Sequence, residues 1–389
     1  MSIRATTVNA VRARAATQAK PVIRWALGHA LPRTAMRIAA RRGDLQGRLL
    51  MLPAGGDPFS LLEEVRSKGS VYQGKFAKTT TSLPVVKDIL TSPDFRSGLP
   101  TEEMPGPLGR IHGWAAETGV LGPLSPPSLL VANGADHVRY RKLVTRVFTV
   151  RAVEALRFRT EEIADGLLDS LAGRDVVDLV ETYAALLPVT VIAEILGVPK
   201  AETSRVLGFG AGAAPGLDMG LSWKRFRVVE RSLAGFDSWL GEHLEQLRQN
   251  PGEDLLSQLV AVQDEGVGLN EQELKAIAGL VLVAGFETTV NLLGNGTALL
   301  CENRDQLTVL RANPSLWPNA VDEVLRLDPP VLLTARTATV DTEVGGAQIS
   351  AGELIVAHLA GANRDPSIFQ NPTTFDVARA NAKDHVTFS

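Results

Sequence analysis

Apolar residues recur along most of this 389-residue chain at the spacing of an α-helix. Positions three or four apart share one helix face, and such runs predict helices that begin near Phe59 and cover 85–90, 136–148, 153–171, 182–196, 271–300 and 318–327. Shorter β-like stretches occupy 71–81 and 175–180. Residues 336–355 alternate polar and apolar positions between glycine turns, which predicts hairpins of a small sheet. The expected fold class is mainly α with small β-sheets (α+β).

Two segments are rich in residues that break regular structure. Residues 98–127 contain six glycines and six prolines, and residues 208–222 contain five glycines and one proline. Such clusters predict loops in both places. Loops as long as 98–127 in compact domains are usually functional or disordered.

Composition is that of an ordinary globular protein, with 45% hydrophobic and 21% charged residues. No run reaches the roughly 18 uninterrupted apolar residues that span a bilayer, so no membrane span is predicted. The single cysteine, Cys301, excludes an internal disulfide and fits a reducing compartment. Together with the lack of a secretory signal, this makes a cytoplasmic location the expectation.

Charge is distributed unevenly, although the net charge is only −3. Residues 1–50 hold ten basic side chains and one acid, so they carry +9 and the rest carries −12. We therefore divide the chain into a basic N-terminal leader, 1–50, and one large domain, 51–389. The leader is expected to be either a solvated arm or a contact with a membrane surface. Nucleic-acid binding is not expected, because aromatic and basic residues do not interleave as in an RNA-binding sheet.

The predicted helix 271–300 carries a polar interruption. Glu287, Thr288 and Thr289 follow Gly285 inside an otherwise apolar run, and such groups are costly to bury. The threonine hydroxyls can bond back to carbonyls one turn earlier. The notch is either a self-satisfied threonine pair or a place where a small polar species binds.

Several further motifs follow in order. Glu323 and Arg326 stand at i and i+3 and can pair on one helix face. After them come Pro329-Pro330, Arg336, the run Ala362 to Pro366, the run Pro372 to Asp376, and the run His385 to Phe388. Taken together with the polar notch, these segments resemble the cytochrome P-450 family of haem-thiolate monooxygenases, of the bacterial soluble type. Upstream, residues 136–143 resemble the family's haem-gripping helix, in which His137 and Arg141 lie four residues apart.

The resemblance implies a role for each matching residue. His137, Arg141, Arg336 and His385 match contacts to the propionates of haem b. Thr288 matches the residue that hydrogen-bonds dioxygen, Glu287 matches the acid that helps relay protons, and Gly285 lets the oxygen approach the backbone.

The same resemblance makes Glu323 and Arg326 a structural ion pair rather than a catalytic one. Many members place a third, basic partner of that pair where this chain has Thr374, so the buried network is expected to lack it.

The resemblance also implies a haem-ligating cysteine on a glycine-rich loop that begins near Phe388. That loop and the final helix of the family fold are therefore expected beyond Ser389, and no metal ligand is assigned within the sequence. Cys301 lies in a helical run without such a loop. We expect it to be a buried, inert thiol.

The implied function is insertion of one oxygen atom from O2 into a small apolar organic substrate. Ferredoxin and ferredoxin reductase are the implied electron donors, and Arg139, Lys142 and Arg146 share a helix face on which an acidic partner can dock. The two breaker-rich segments are expected to act as lids over the substrate. The alternative is a truncated, haem-free, non-catalytic fragment or a binder of apolar ligands.

Overall fold

The structure is a computed structural model, and it describes residues 19–53, 55–97, 107–116, 122, 127–218, 220–264 and 269–388. Helices dominate it, as the sequence predicts. In chain order the α-helices are α1 Leu31–Arg41, α2 Leu45–Leu50, α3 Phe59–Arg66, α4 Leu83–Thr91, α5 Pro107–Ala116, α6 Gly134–Val147, α7 Val150–Asp169, α8 Leu186–Ile195, α9 Thr203–Ala213, α10 Trp223–Gln249, α11 Leu255–Asp264, α12 Glu271–Glu302, α13 Arg304–Ala312, α14 Trp317–Leu327 and α15 Leu359–Ala362. The strands are β1 Tyr72–Gln73, β2 Lys78–Thr80, β3 Phe95–Ser97, β4 Thr334–Ala338, β5 Thr342–Val344, β6 Ala347–Ile349 and β7 Leu354–Ala357.

The strands form two small sheets, in agreement with the predicted hairpin region. The larger sheet has the order β1-β2-β7-β4-β3, in which only the β2–β7 pair is parallel. Strands β5 and β6 form a separate antiparallel hairpin. Its turn is made by Gly345 and Gly346, whose φ angles of 58° and 80° are a conformation that glycine adopts without strain.

Helix α12 is the central helix of the fold. It begins with a capping box, in which the Asn270 side chain accepts from the backbone of Glu273 and the Glu273 side chain accepts from the backbone of Asn270. Its first half is buried among α8, α9 and α10, with Leu274 and Leu282 in the main hydrophobic cluster. Among the described helices, α12 is long and apolar enough to cross a membrane, with a mean hydropathy of 1.7 over its best 18 residues. Its first half is packed as a core helix is, whereas residues 284–302 are only partly buried or exposed.

The described part of the basic leader packs against the body. The Trp25 indole donates to the carbonyl oxygen of Leu221 over 2.9 Å, and its ring lies 5.5 Å from that of Trp223 at the start of α10. A solvated arm is therefore wrong for residues 19–50. The division of the chain at residue 50 stays a prediction.

Three local predictions are wrong. Residues 175–180 form no strand, and Val176 is 90% exposed, so nothing there supplies a sheet neighbour. Helix α5 forms within 98–127, of which residues 98–106, 117–121 and 123–126 lie outside the described part. Helix α9 runs through three glycines of the second cluster because helices crowd there. A Cβ on Gly210 would lie 3.2 Å from Leu282, and one on Gly212 would lie 2.1 Å from the Ser232 hydroxyl.

Candidate active site

An open cavity of about 700 Å³ lies beside the polar notch of α12. Its walls are α12, α1, the turn that follows α9, and residues 330–333 ahead of β4. Glu287 and Thr288 both line it, so the structure brings the two predicted catalytic residues to one space. Apolar side chains dominate the rest of the wall: Pro32, Met36, Leu50, Met51, Leu217, Leu221, Val283, Pro330, Val331, Leu332 and Leu333. Such a cavity suits a largely apolar small molecule.

The polar residues of the notch differ in their hydrogen bonding. The Thr288 hydroxyl donates to the carbonyl oxygen of Ala284 over 2.5 Å, which is the predicted back-bond to the preceding turn. Burial raises the pKa of Glu287, and the nearby carboxylate of Asp218 raises it further. Burial also raises the pKa of Asp218, and the positive charge of Arg225 lowers that pKa in part. Glu287 therefore holds its proton to a higher pH than a glutamate in bulk water does, although its side chain is exposed in the open cavity.

Gly285 is a packing position between two helices. A Cβ there would stand 3.0 Å from the Cδ1 atom of Ile192 on α8. The missing side chain thus lets α8 approach α12 beside the notch. The predicted approach of dioxygen to the Gly285 backbone stays a prediction.

The predicted ion pair between Glu323 and Arg326 is present and fully buried, with both side chains 0% exposed. The Arg326 guanidinium donates to both carboxylate oxygens over 2.7 and 2.8 Å. It also donates to the carbonyl oxygens of Asn363, Pro372 and Thr374. A buried charge pair is stable only when its remaining donors and acceptors are satisfied, as they are here.

Arg379 is a third member of this network that the sequence analysis missed. Its Nε donates to both Glu323 oxygens over 3.0 Å, and its other nitrogens donate to the carbonyls of Gln370, Asn371 and Thr374. The expectation that the network lacks a third basic partner is therefore wrong. The missed signal is the arginine three residues after Asp376, since only the Thr374 position was considered.

Three of the four predicted propionate contacts offer hydrogen-bond donors that lack anionic partners among the described residues. Half-buried His137 and exposed Arg141 lie one turn apart on α6, and neither side chain hydrogen-bonds another described residue. Arg336 lies on β4, where burial lowers its pKa. Among the described residues its guanidinium donates only to the Thr334 hydroxyl and the Ala335 carbonyl, both neutral. These residues fit a ligand that carries carboxylates, as haem does.

His385 sits near the buried network. Its Nδ1 accepts from the backbone N–H of Thr387 over 3.2 Å, and its Nε2 lies 3.8 Å from the carboxylate of Asp322 on α14. Burial lowers its pKa, which Asp322 partly opposes. Asp322 thus already places a carboxylate beside this histidine. Contact between His385 and a haem propionate stays a prediction.

Two further expectations do not hold in the structure. Arg139 is not free on its helix face, because it forms an ion pair with Glu273, a member of the capping box at the start of α12. Lys142 is exposed, while the Arg146 side chain lies outside the described part. Cys301 is exposed rather than buried, because the last turn of α12 faces solvent there. Within the described residues no cluster of three histidine, cysteine or acidic side chains could hold a metal ion.

Comparison with known proteins identifies the class. The sequence model of the family Cytochrome P450 matches residues 219–385. The cytochrome P450 140 of Mycobacterium tuberculosis is 48% identical over 375 residues, which is 95% of this chain and 85% of that protein. This chain belongs to the cytochrome P450 family, and the activity of that family is haem-dependent monooxygenation.

Further relatives agree with this assignment. The 6-deoxyerythronolide B hydroxylase of Saccharopolyspora erythraea is 41% identical over 255 residues, covering 65% of this chain and 61% of that protein. Among solved structures, P450BioI in complex with an acyl carrier protein ligated to hexadec-9Z-enoic acid superposes with a TM-score of 0.76. It is 29% identical and covers 86% of this chain and 84% of that one. The predicted fold and family are confirmed.

Proposed function

We propose that this monooxygenase oxidises an apolar organic molecule bound in the cavity beside Glu287 and Thr288. The observation that carries the proposal is the single space of about 700 Å³, mostly apolar, into which both residues face. The relatives support it, because hexadec-9Z-enoic acid, the acyl group carried to P450BioI, is largely hydrocarbon. The proposed location is the cytoplasm, where the donors are a ferredoxin and its reductase.

The residues proposed to hold the haem are His137, Arg141 and Arg336, through charge-assisted hydrogen bonds to its carboxylates. His385 is the weaker fourth candidate, because Asp322 adjoins it. When bound, the haem supplies the chemistry that activates dioxygen. The predicted thiolate ligand is not assigned to any residue of this sequence.

The proposed task of Glu287 and Thr288 is to deliver protons at the cavity wall. Partial burial and Asp218 raise the pKa of Glu287, so its carboxyl can carry a proton at a pH where a glutamate in bulk water has lost it. The Thr288 hydroxyl, one residue along the helix, can pass a proton on only by releasing its back-bond to Ala284, since that bond holds its own proton. With the back-bond in place, its oxygen accepts a hydrogen bond and orients the donor.

The test compares Thr288→Ala with Thr289→Ala in haem-loaded protein. Thr288→Ala is expected to leave substrate binding, read from the absorption spectrum, nearly unchanged, while less product forms per electron and more peroxide appears. The matched control, Thr289→Ala, removes a hydroxyl that does not line the cavity and should keep its coupling. Equal coupling in both variants and wild type would contradict the assignment.

Haem binding is tested separately, without reference to activity. Titration of the protein with haem, followed by absorbance, should show weaker binding for Arg336→Met than for wild type. Arg48→Met, which removes an exposed cation already paired with Glu64, is the control. Identical haem affinity in Arg336→Met would remove Arg336 from the site.

A further inference from the structure

Helix α1 has an inner face that forms part of the cavity. Pro32, Arg33 and Met36 line the space, and Ala39 is fully buried. The side chain of Arg33 also packs directly on Gly220: a Cβ added to that glycine would lie 3.2 Å from the Arg33 Cβ. The inner face thus joins the basic leader to the wall of the substrate cavity.

The outer face of α1 mixes exposed apolar and basic side chains. Leu31 is 59% exposed and Ile38 is 46% exposed, and their separation of seven residues places them within about 20° of each other around the helix. Arg37 and Arg41 are exposed beside them, one turn apart. Val22, in the preceding helical residues 19–25, is 48% exposed as well.

The arginines of this face lack acidic partners. Arg24 and Arg48, which flank α1 in sequence, pair with Glu230 and Glu64. By contrast, Arg37, Arg41 and Arg42 form no ion pair with any residue in the described ranges. Exposed cations without counter-charges, set among exposed aliphatic side chains, are the composition of a helix that lies in the interface of an anionic bilayer.

We propose that the outer face of α1 docks on a bilayer of anionic phospholipid and so places the cavity wall next to the membrane. Leu31 and Ile38 would enter the headgroup region while Arg37 and Arg41 meet the phosphates. An apolar molecule dissolved in the bilayer then has a short route into the cavity, a consequence that rests on the proposed apolar substrate. An acidic carrier protein is the rival occupant, but the exposed leucine and isoleucine beside the arginines favour lipid.

The experiment is flotation of the full chain with vesicles of phosphatidylcholine alone or mixed with phosphatidylglycerol. Wild type should float with the anionic vesicles only, and less at high salt. Arg37→Gln/Arg41→Gln should lower partitioning roughly 25-fold, at about fivefold for each arginine removed near an anionic surface. Leu31→Ser/Ile38→Ser should lower it by roughly tenfold or more, because two apolar side chains no longer insert.

The control is Lys87→Gln/Arg311→Gln, which removes the same charge from exposed positions on α4 and α13 and should float like wild type. Circular dichroism melts confirm that each variant folds, and the single variant Arg37→Gln replaces any that does not. The proposal is overturned if wild type ignores anionic vesicles, or if the α1 variants float as well as wild type. It is also overturned if the α1 variants lose binding only to an acidic carrier protein. Because flotation needs neither haem nor turnover, failure of the proposed monooxygenation leaves this result standing.

Discussion

Replacement of Arg379 by methionine is expected to destabilise the protein severely. The Arg379 side chain is 7% exposed and makes two hydrogen bonds of 3.0 Å to Glu323. It also satisfies three backbone carbonyls in residues 370–374. Removing one partner of a buried charge network typically costs about 3–5 kcal/mol. Glu323 keeps Arg326 and the backbone N–H of Asp376, so we expect the lower end, about 3 kcal/mol.

The assay is equilibrium unfolding in urea, with the midpoint and slope compared between variants. Arg48→Met is the control, because the Arg48–Glu64 pair is about half exposed on both sides and such pairs contribute about 0–1 kcal/mol. Arg379→Lys should fall between the two, since an ammonium keeps the charge but cannot reach the carboxylate and three carbonyls together. The reasoning is refuted if Arg379→Met loses no more free energy of unfolding than Arg48→Met.

Three further outcomes are expected. Burial lowers the pKa of His358 from 6.5 to about 4, so its contribution to stability is complete above pH 6.5 and is lost as the pH falls toward 4. That loss is about 3 kcal/mol, and urea unfolding against pH should show it in wild type but not in His358→Gln. Gly285→Ala should cost about 0–2 kcal/mol, because overpacking of about 1–3 kcal/mol against Ile192 is partly offset by a gain of about 1 kcal/mol in helix propensity. Adding Ile192→Val, which removes the Cδ1 atom, should stabilise the Gly285→Ala variant relative to its effect in wild type; no such rescue would contradict the contact. Arg139→Met should increase amide hydrogen exchange in the first turn of α12, because Glu273 loses its ion-pair partner; unchanged exchange would mean that the capping box alone holds that end.

The positions of the helices could largely be predicted because their apolar spacing is local information. Helix α9 is not predicted by the sequence pattern, because a glycine cluster is compatible with two opposite structures, a loop and a closely packed helix. The same residues break a helix in solvent and allow close packing when a second helix crosses them, as α12 does at Gly210 and α10 does at Gly212. Which of the two structures forms depends on whether another helix packs there, and the local sequence pattern does not contain that information.

The buried network shows the same limit within the candidate site. Glu323 and Arg326 are three residues apart on one helix, so spacing alone places them together. Arg379 reaches the same carboxylate from 56 residues away. The backbone turns of residues 370–379 bring it there, held by the carbonyls that Arg379 itself satisfies. Because the position of Arg379 depends on these long-range contacts, sequence spacing alone cannot place it beside Glu323.

The α6 helix shows what spacing can and cannot establish about a binding face. The i, i+4 relation correctly puts His137 and Arg141 together, and the opposite side correctly carries Arg139 and Lys142. Whether that second side is free to bind a partner depends on the tertiary structure. Here Glu273, at the start of α12, already forms an ion pair with Arg139. An acidic redox partner that docks there must compete with a carboxylate that also caps the central helix. Docking through Arg139 would therefore disturb the end of α12 that leads to Glu287 and Thr288, whereas docking through Lys142 would leave that end intact.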